Sequence, residues 1–297
     1  MSSKIIFGFT ALLFCSIFSC NNSGKSGNTS DTAAGYDTVL LNNYRIYLHS
    51  LDTLKPASNT TAAQKYAELF KGANQNTRDS AFSVFKDFYN KLDQTLDNTR
   101  DASISYDSLV TDSNGHLPQL SPKLNAFAQS LKENGFKVYM SEGNPYVGQD
   151  LDFEAEWFYA YISTPLKDFL TELNKEDKEG FSEDAGLIIS PEQLADRTIW
   201  WENFAKKYPE TIIGRPSLEN WKSYLGTMMN GMDNTPVLES GRSINPYYKA
   251  AYSRIINNYP ASQSAKYISP YFKLLQNKQD AKAKDLVRNY GLKKIIF

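Results

Sequence analysis

Cysteine occurs only twice in the 297 residues, at Cys15 and Cys20, so the chain from Asn21 onward has no thiol and cannot close an internal disulfide. A fold there must be held by its core, and about 260 residues suffice to bury a sizeable one. Histidine is equally scarce. His49 closes a helical pattern, where the helix dipole favours it, and His116 follows the turn signal Asn114-Gly115. Neither has a histidine or cysteine partner at ligand spacing, so no metal site is expected and no cofactor is implied. An excess of one charge is lacking as well, with 32 Lys plus Arg against 33 Asp plus Glu. Such a balance offers no basic field to nucleic acid. There is no Gly-x-Ser-x-Gly elbow for a serine nucleophile, and Gly24-Lys25-Ser26 stands without the glycine-rich loop that cradles phosphate.

What is present begins at the N-terminus. Lys4 precedes an almost unbroken apolar run, Ile5 to Phe18, and the composition then turns abruptly polar at Asn21. A charged start, an apolar stretch and a small residue before a cut describe a cleavable export signal. At about 14 residues the run is shorter than the ~20 a helix needs to cross a hydrocarbon core. The tetrad Ile17-Phe18-Ser19-Cys20 resembles the lipobox of bacterial lipoprotein signal peptides, with aliphatic, small and cysteine positions matched and Phe18 bulkier than usual. The resemblance implies removal of residues 1–19 and diacylglycerol on the Cys20 sulfur, followed by acylation of the new amine. Several acyl chains anchor essentially permanently where one binds only marginally. Loss of Lys4 with the leader takes the net charge from −1 to about −2.

Residues 20–35 then read as a lipidated cysteine and a Gly/Ser/Asn/Thr tether with nothing to bury. Treated as a coil of ~15 residues it spans roughly 20 Å. The tether opens Asn-Asn-Ser-Gly-Lys without an acidic cluster, and by analogy with the family this points to the periplasmic face of the outer membrane over the cell surface.

From Tyr36 onward the apolar period is helical. Val39, Leu40, Tyr44, Tyr47, Leu48 and Leu51 form one stripe, and Phe82, Phe85, Phe88, Tyr89, Leu92 and Leu96 another. Ser121-Pro122, Thr164-Pro165, Ser190-Pro191, Asn245-Pro246 and Ser269-Pro270 each offer a capping side chain followed by proline at a first helical position. The pattern predicts helices over 36–51, 61–72, 78–98, 122–134, 151–162, 165–176, 191–207, 217–230, 246–258, 264–276 and 279–290. Residues 136–148 alternate instead and predict a short β-hairpin. The fold expected for 36–297 is a single mainly α domain, a multi-helix bundle or irregular α-solenoid with one hairpin. Trp201 to Pro209 and Tyr252 to Pro260 echo each other, but 51 residues apart, not the 34 of a tetratricopeptide array. They read as helices ended by proline.

Candidate chemistry is concentrated at 141–157, where Glu142, Asp150, Asp152, Glu154 and Glu156 flank a Gly/Pro-rich loop. Glu142 and Glu154 are the pair that could serve as acid and base; the alternating carboxylates otherwise spread around a helix start and complement its dipole. The 19 Tyr, 17 Phe and 4 Trp are the other resource. Tyr146, Trp157, Trp200 and Trp201 could line a glycan or peptide groove, although helix packing explains most aromatics. Met228, Met229 and Met232 read as core fillers. The composite expectation is a membrane-tethered envelope protein, bound to lipid through Cys20, that recognises an envelope protein, peptide or glycan. The alternative is an envelope hydrolase acting on cell-wall or imported polymer, with two carboxyls held ~5–10 Å apart.

Overall fold

The computed structural model describes residues 35–110, 118–141 and 143–297. Within them the protein is mainly α: eleven α-helices accompanied by two short antiparallel hairpins. In chain order these are α1 (Thr38–His49), α2 (Ala57–Phe70), α3 (Gln75–Asn98), α4 (Pro122–Glu133), β1 (Phe136–Ser141), β2 (Asn144–Gln149), α5 (Asp152–Phe158) and α6 (Thr164–Glu179). There follow β3 (Ser182–Glu183), β4 (Gly186–Leu187), α7 (Pro191–Lys207), α8 (Gly214–Asn230), α9 (Pro246–Asn258), α10 (Gln263–Gln276) and α11 (Asp280–Leu292). Each of the eleven helices expected from periodicity is there, and the hairpin falls where alternation placed it. A 3-10 turn at Tyr106–Leu109 and the two-residue strands β3 and β4 carried no readable period. Residues 1–34, with the expected leader, Cys20 and the expected tether, lie outside the described residues, as do His116 and Glu142. No described helix is long and apolar enough to cross a membrane. By their contacts the described residues divide into two compact units, one ending at Leu170 and the other spanning Thr171–Phe297, the division falling inside α6.

In the first unit α3 supplies the spine. Its stripe Phe82, Phe85, Phe88, Tyr89 and Leu92 is buried as the spacing requires, against Tyr44 of α1, Tyr66 and Phe70 of α2 and Phe158 of α5. The rings meet edge-on or tilted, Tyr66 to Phe158 at 4.8 Å and Phe85 to Phe158 at 4.4 Å between centroids, the arrangements the ring quadrupole favours. Buried tyrosines need a partner for each hydroxyl, and each finds a carbonyl: Tyr44 donates to Ala62 O at 2.9 Å, Tyr66 to Arg78 O at 3.1 Å and Tyr89 to Gly135 O. β1 and β2 pair from Phe136↔Gln149 to Ser141↔Asn144, and β2 lies against α3. Gly135 enters the hairpin at φ +84°, and a Cβ there would stand 2.6 Å from the Phe153 ring. Both backbone hand and space demand glycine.

One expected stripe is rotated. The α1 residues turned inward are Leu41, Tyr44 and Leu48, whereas Val39 is 69% exposed. Positions 41, 44 and 48 are spaced three and four apart and so share a face; Val39 lies about 200° of helix rotation from Leu41.

In the second unit α7 and α8 form one antiparallel pair, α9 packs on α7, α10 on α9, and α11 on α10. Trp201, Leu225, Met228, Tyr248, Tyr252, Ile255 and Ile268 are fully enclosed, with Met229 scarcely more open. The hydroxyls of Tyr248, Tyr252 and Tyr271 donate to Thr235 O, Met228 O and Met229 O at 2.9, 2.5 and 2.7 Å. The two echoing segments end their helices alike. Tyr208 and Tyr259 occupy the C-cap with φ/ψ of −127°/48° and −133°/49°, each N–H returning to the carbonyl four residues back. Gly214 lets α8 begin directly under the first of these turns, because a Cβ would sit 2.3 Å from Pro209 O.

Three of the five Ser/Thr/Asn-Pro pairs cap as expected: Ser121, Ser190 and Asn245 accept from the N–H groups of Leu124, Gln193 and Tyr247. Two are corrected. At α6 the cap is Ser163, whose Oγ accepts from Leu166 N at 3.3 Å, one residue before Thr164. Ser269-Pro270 sits inside α10, with Ser269 Oγ donating back to Ala265 O at 2.6 Å, because Ser262 has already capped that helix. Ser190 carries the most complete cap, a capping box in which Gln193 also returns a bond to the Ser190 N–H at 2.9 Å. Ser190→Ala should therefore lower stability by about 1 kcal/mol, seen as a lower urea midpoint at unchanged slope.

Candidate functional site

Two buried polar centres stand out, one in each unit, and each contains a residue already singled out by the sequence. In the first unit Glu154 sits in the opening turn of α5 and is 2% exposed. Its partner is Lys86 of α3, which forms a buried ion pair with it and also donates to Gln149 Oε1 at 2.7 Å. Gln149, the last residue of β2, passes the network on by donating to Asn90 Oδ1 at 2.9 Å. Asp93, one turn further along α3, is pushed up to about 6 by desolvation, with opposition from Gln149 and Lys86. The hairpin thus brings one amide against two turns of α3, and α5 delivers the carboxylate.

In the second unit Glu176 of α6 is 1% exposed. Its Oε1 accepts from Trp201 Nε1 at 2.8 Å and its Oε2 from Tyr224 OH at 2.7 Å. Arg197 of α7 closes the group, donating to Glu179 at 2.7 Å, to Gly180 O at 2.9 Å and to Tyr224 OH at 3.4 Å. Desolvation raises the Glu176 carboxyl to about 7 against the pull of Tyr224, Arg197 and Trp201. The same burial drives the Tyr224 phenol far above its ordinary range, so it stays protonated and a donor.

Each buried carboxylate among the described residues has at least one donor. Glu202 of α7 accepts from Gln263 N, Ser264 N and Ser264 Oγ at 2.6, 2.8 and 2.6 Å, capping α10 from a different helix. Glu172 pairs with Lys175 at 3.0 Å and Asp280 with Arg242 at 2.8 Å. The bonds of Glu176 to Trp201 and Tyr224, and of Glu202 to Ser264, join one helix to another.

The remaining sequence candidates are distributed between the units. Tyr146 is 38% exposed on the hairpin and stacks on Tyr139, with centroids 5.3 Å apart and planes 12° from parallel. Trp157 is half-buried against Phe153. Trp200 is half-buried and stacked on Phe204 at 4.7 Å, while Trp201 is enclosed and bonded to Glu176. Glu142 lies outside the described residues, so its distance from Glu154 is not defined. Lys86, Glu176, Arg197, Tyr224 and Glu202 are the residues that sequence reasoning missed.

The open surface of the second unit includes a groove of about 480 Å³ bounded by the end of α8, the 236–238 segment, α10 and α11. Met229, Val237, Tyr271 and Leu275 line it together with Asp280 and the exposed Lys284 and Arg288. Apolar linings with a few charged groups suit recognition of another molecule.

Comparison with family models, with curated proteins and with solved structures finds no match for this chain.

Proposed function

We propose that this protein is a bacterial cell-envelope lipoprotein, held by lipid on Cys20 and serving as a non-enzymatic binding or scaffold module. The observation that carries the second part is the state of the buried carboxylates. Glu154, the acid-base candidate, is bound to Lys86, and Glu176 and Glu202 are bound to helix donors. These bonds give the three carboxylates architectural roles, and an apolar groove beside α11 is open to a partner. For the first part the support is the lipobox-like tetrad at Cys20, in a chain with no other cysteine after Cys15. The periplasmic face of the outer membrane is the proposed location, and an envelope protein, peptide or glycan the proposed partner class.

One strain pair tests both parts. Intact mass of the membrane-extracted protein should give a chain beginning at a doubly or triply acylated Cys20, and Cys20→Ala should release it from membranes. Cross-linking in intact envelopes should then yield discrete adducts with the anchored protein that are lost with Cys20→Ala. An unmodified mature chain starting elsewhere refutes the anchor. Adducts that are absent in both strains refute the scaffold.

A further inference from the structure

The outward face of α1 differs from an ordinary solvent face. With Leu41, Tyr44 and Leu48 turned inward, the opposite side presents Val39, Asn42, Asn43 and Ile46. At about 100° per residue these four fall within about 100° of arc. No charged side chain stands among them, and the aliphatic pair is 69% and 62% exposed. A helix exposed to water ordinarily carries charge on that side, as α11 does with exposed Lys282, Lys284, Asp285 and Arg288. Tyr36, 50% exposed, precedes the first turn. Arg45 and His49 border the stripe on one side and Tyr47 on the other.

We infer that this face of α1 rests on the lipid surface to which Cys20 is attached. The inference depends on the lipoprotein reading above, and the placement of the helix in the chain selects the occupant. Residues 21–34, fourteen in number, separate Cys20 from Gly35, and α1 begins three residues later. Fourteen residues reach at most about 50 Å, and no described helix is tied to the anchor by a shorter length of chain. A link of that length holds the face near the bilayer at an effective concentration on the order of a millimolar. Two aliphatic side chains that would bind weakly from solution then suffice. Their chemistry fits the boundary layer: Val39 and Ile46 enter among the acyl chains, Tyr36 sits at headgroup level, and the asparagines between stay at the polar edge. The contact is shallow, about 5–10 Å deep. It fixes which side of the first unit looks away from the membrane.

The absence of other thiols makes the test direct. Full-length protein with Ile46→Cys or Val39→Cys is purified with its lipid, spin-labelled at the new cysteine and reconstituted into vesicles of phosphatidylethanolamine and phosphatidylglycerol. Intact mass confirms acylation of Cys20 in each sample. Both positions are exposed, so folding should be unaffected. Expected is an oxygen-to-nickel-chelate accessibility ratio several-fold higher at 46 and 39 than at a Lys123→Cys control on α4. A water-like ratio at 46 and 39 in a sample whose Cys20 is acylated overturns the inference while leaving the anchor intact. Spin–spin broadening between labels would assign the face to a second copy and overturn it too. A chain whose Cys20 is unmodified removes the anchor and the inference together.

Discussion

Lys86→Met should be among the most damaging single changes in the first unit, lowering stability by about 3–5 kcal/mol. The ammonium of Lys86 is the partner of a carboxylate that is 2% exposed, and its removal strands that charge in the interior. Gln149 would lose its Lys86 bond as well, and Asp93 would lose a nearby positive charge. The double variant Lys86→Met with Glu154→Leu should recover to within about 1 kcal/mol of the parent, since a buried ion pair is often replaceable by apolar groups of like volume. Urea denaturation followed by circular dichroism measures both. A double variant as unstable as Lys86→Met would mean that Glu154 supports the start of α5 by some means other than its charge.

That pair also illustrates what the sequence disclosed. Helix positions were legible because apolar residues recur at three and four and because Ser121, Ser190 and Asn245 punctuate their starts. Val39 belongs to the nearest stripe by hydropathy alone, whereas rotation about α1 is fixed by Leu41, Tyr44 and Leu48 packing on α2 and α3. The polar centres were hidden for a related reason. Glu176 continues the buried run Leu166, Phe169, Leu170 along α6, and Arg197 lies on the buried face of α7 between Leu194 and Trp201. A charge on an apolar stripe is a readable signal of a buried pair. Its partner is not readable, because Glu176 meets Tyr224 48 residues away and Glu202 meets Ser264 62 residues away. Such pairings exist only once helices are packed.

Glu176 should also make the second unit more stable in mild acid than in alkali. Its carboxyl is raised from an ordinary 4.5 to about 7, chiefly by desolvation. The folded state therefore holds its proton more tightly than the unfolded chain does, and between these two values folding takes up a proton. Stabilisation is fully present below pH 4.5 and is lost as pH rises through 7. Each tenfold difference in proton affinity between the folded and unfolded chain is worth about 1.4 kcal/mol, so the contribution reaches up to about 3 kcal/mol. The groups facing it set the size of the effect: Trp201 and Tyr224 bond either protonation state, Arg197 favours the anion, and Glu172 one turn away opposes it. Glu176→Gln keeps an oxygen to accept a bond and removes the titration. It should match the parent near pH 4.5 and exceed it by up to about 3 kcal/mol above about pH 8. The difference between the two urea-stability profiles thus isolates this carboxyl from every other titrating group. Parallel profiles would show that Glu176 is ionised throughout, with Arg197 holding it so. In the expected case, the network joining α6 to α7 and α8 is tightest when its carboxyl is neutral and loosens as the surroundings turn alkaline.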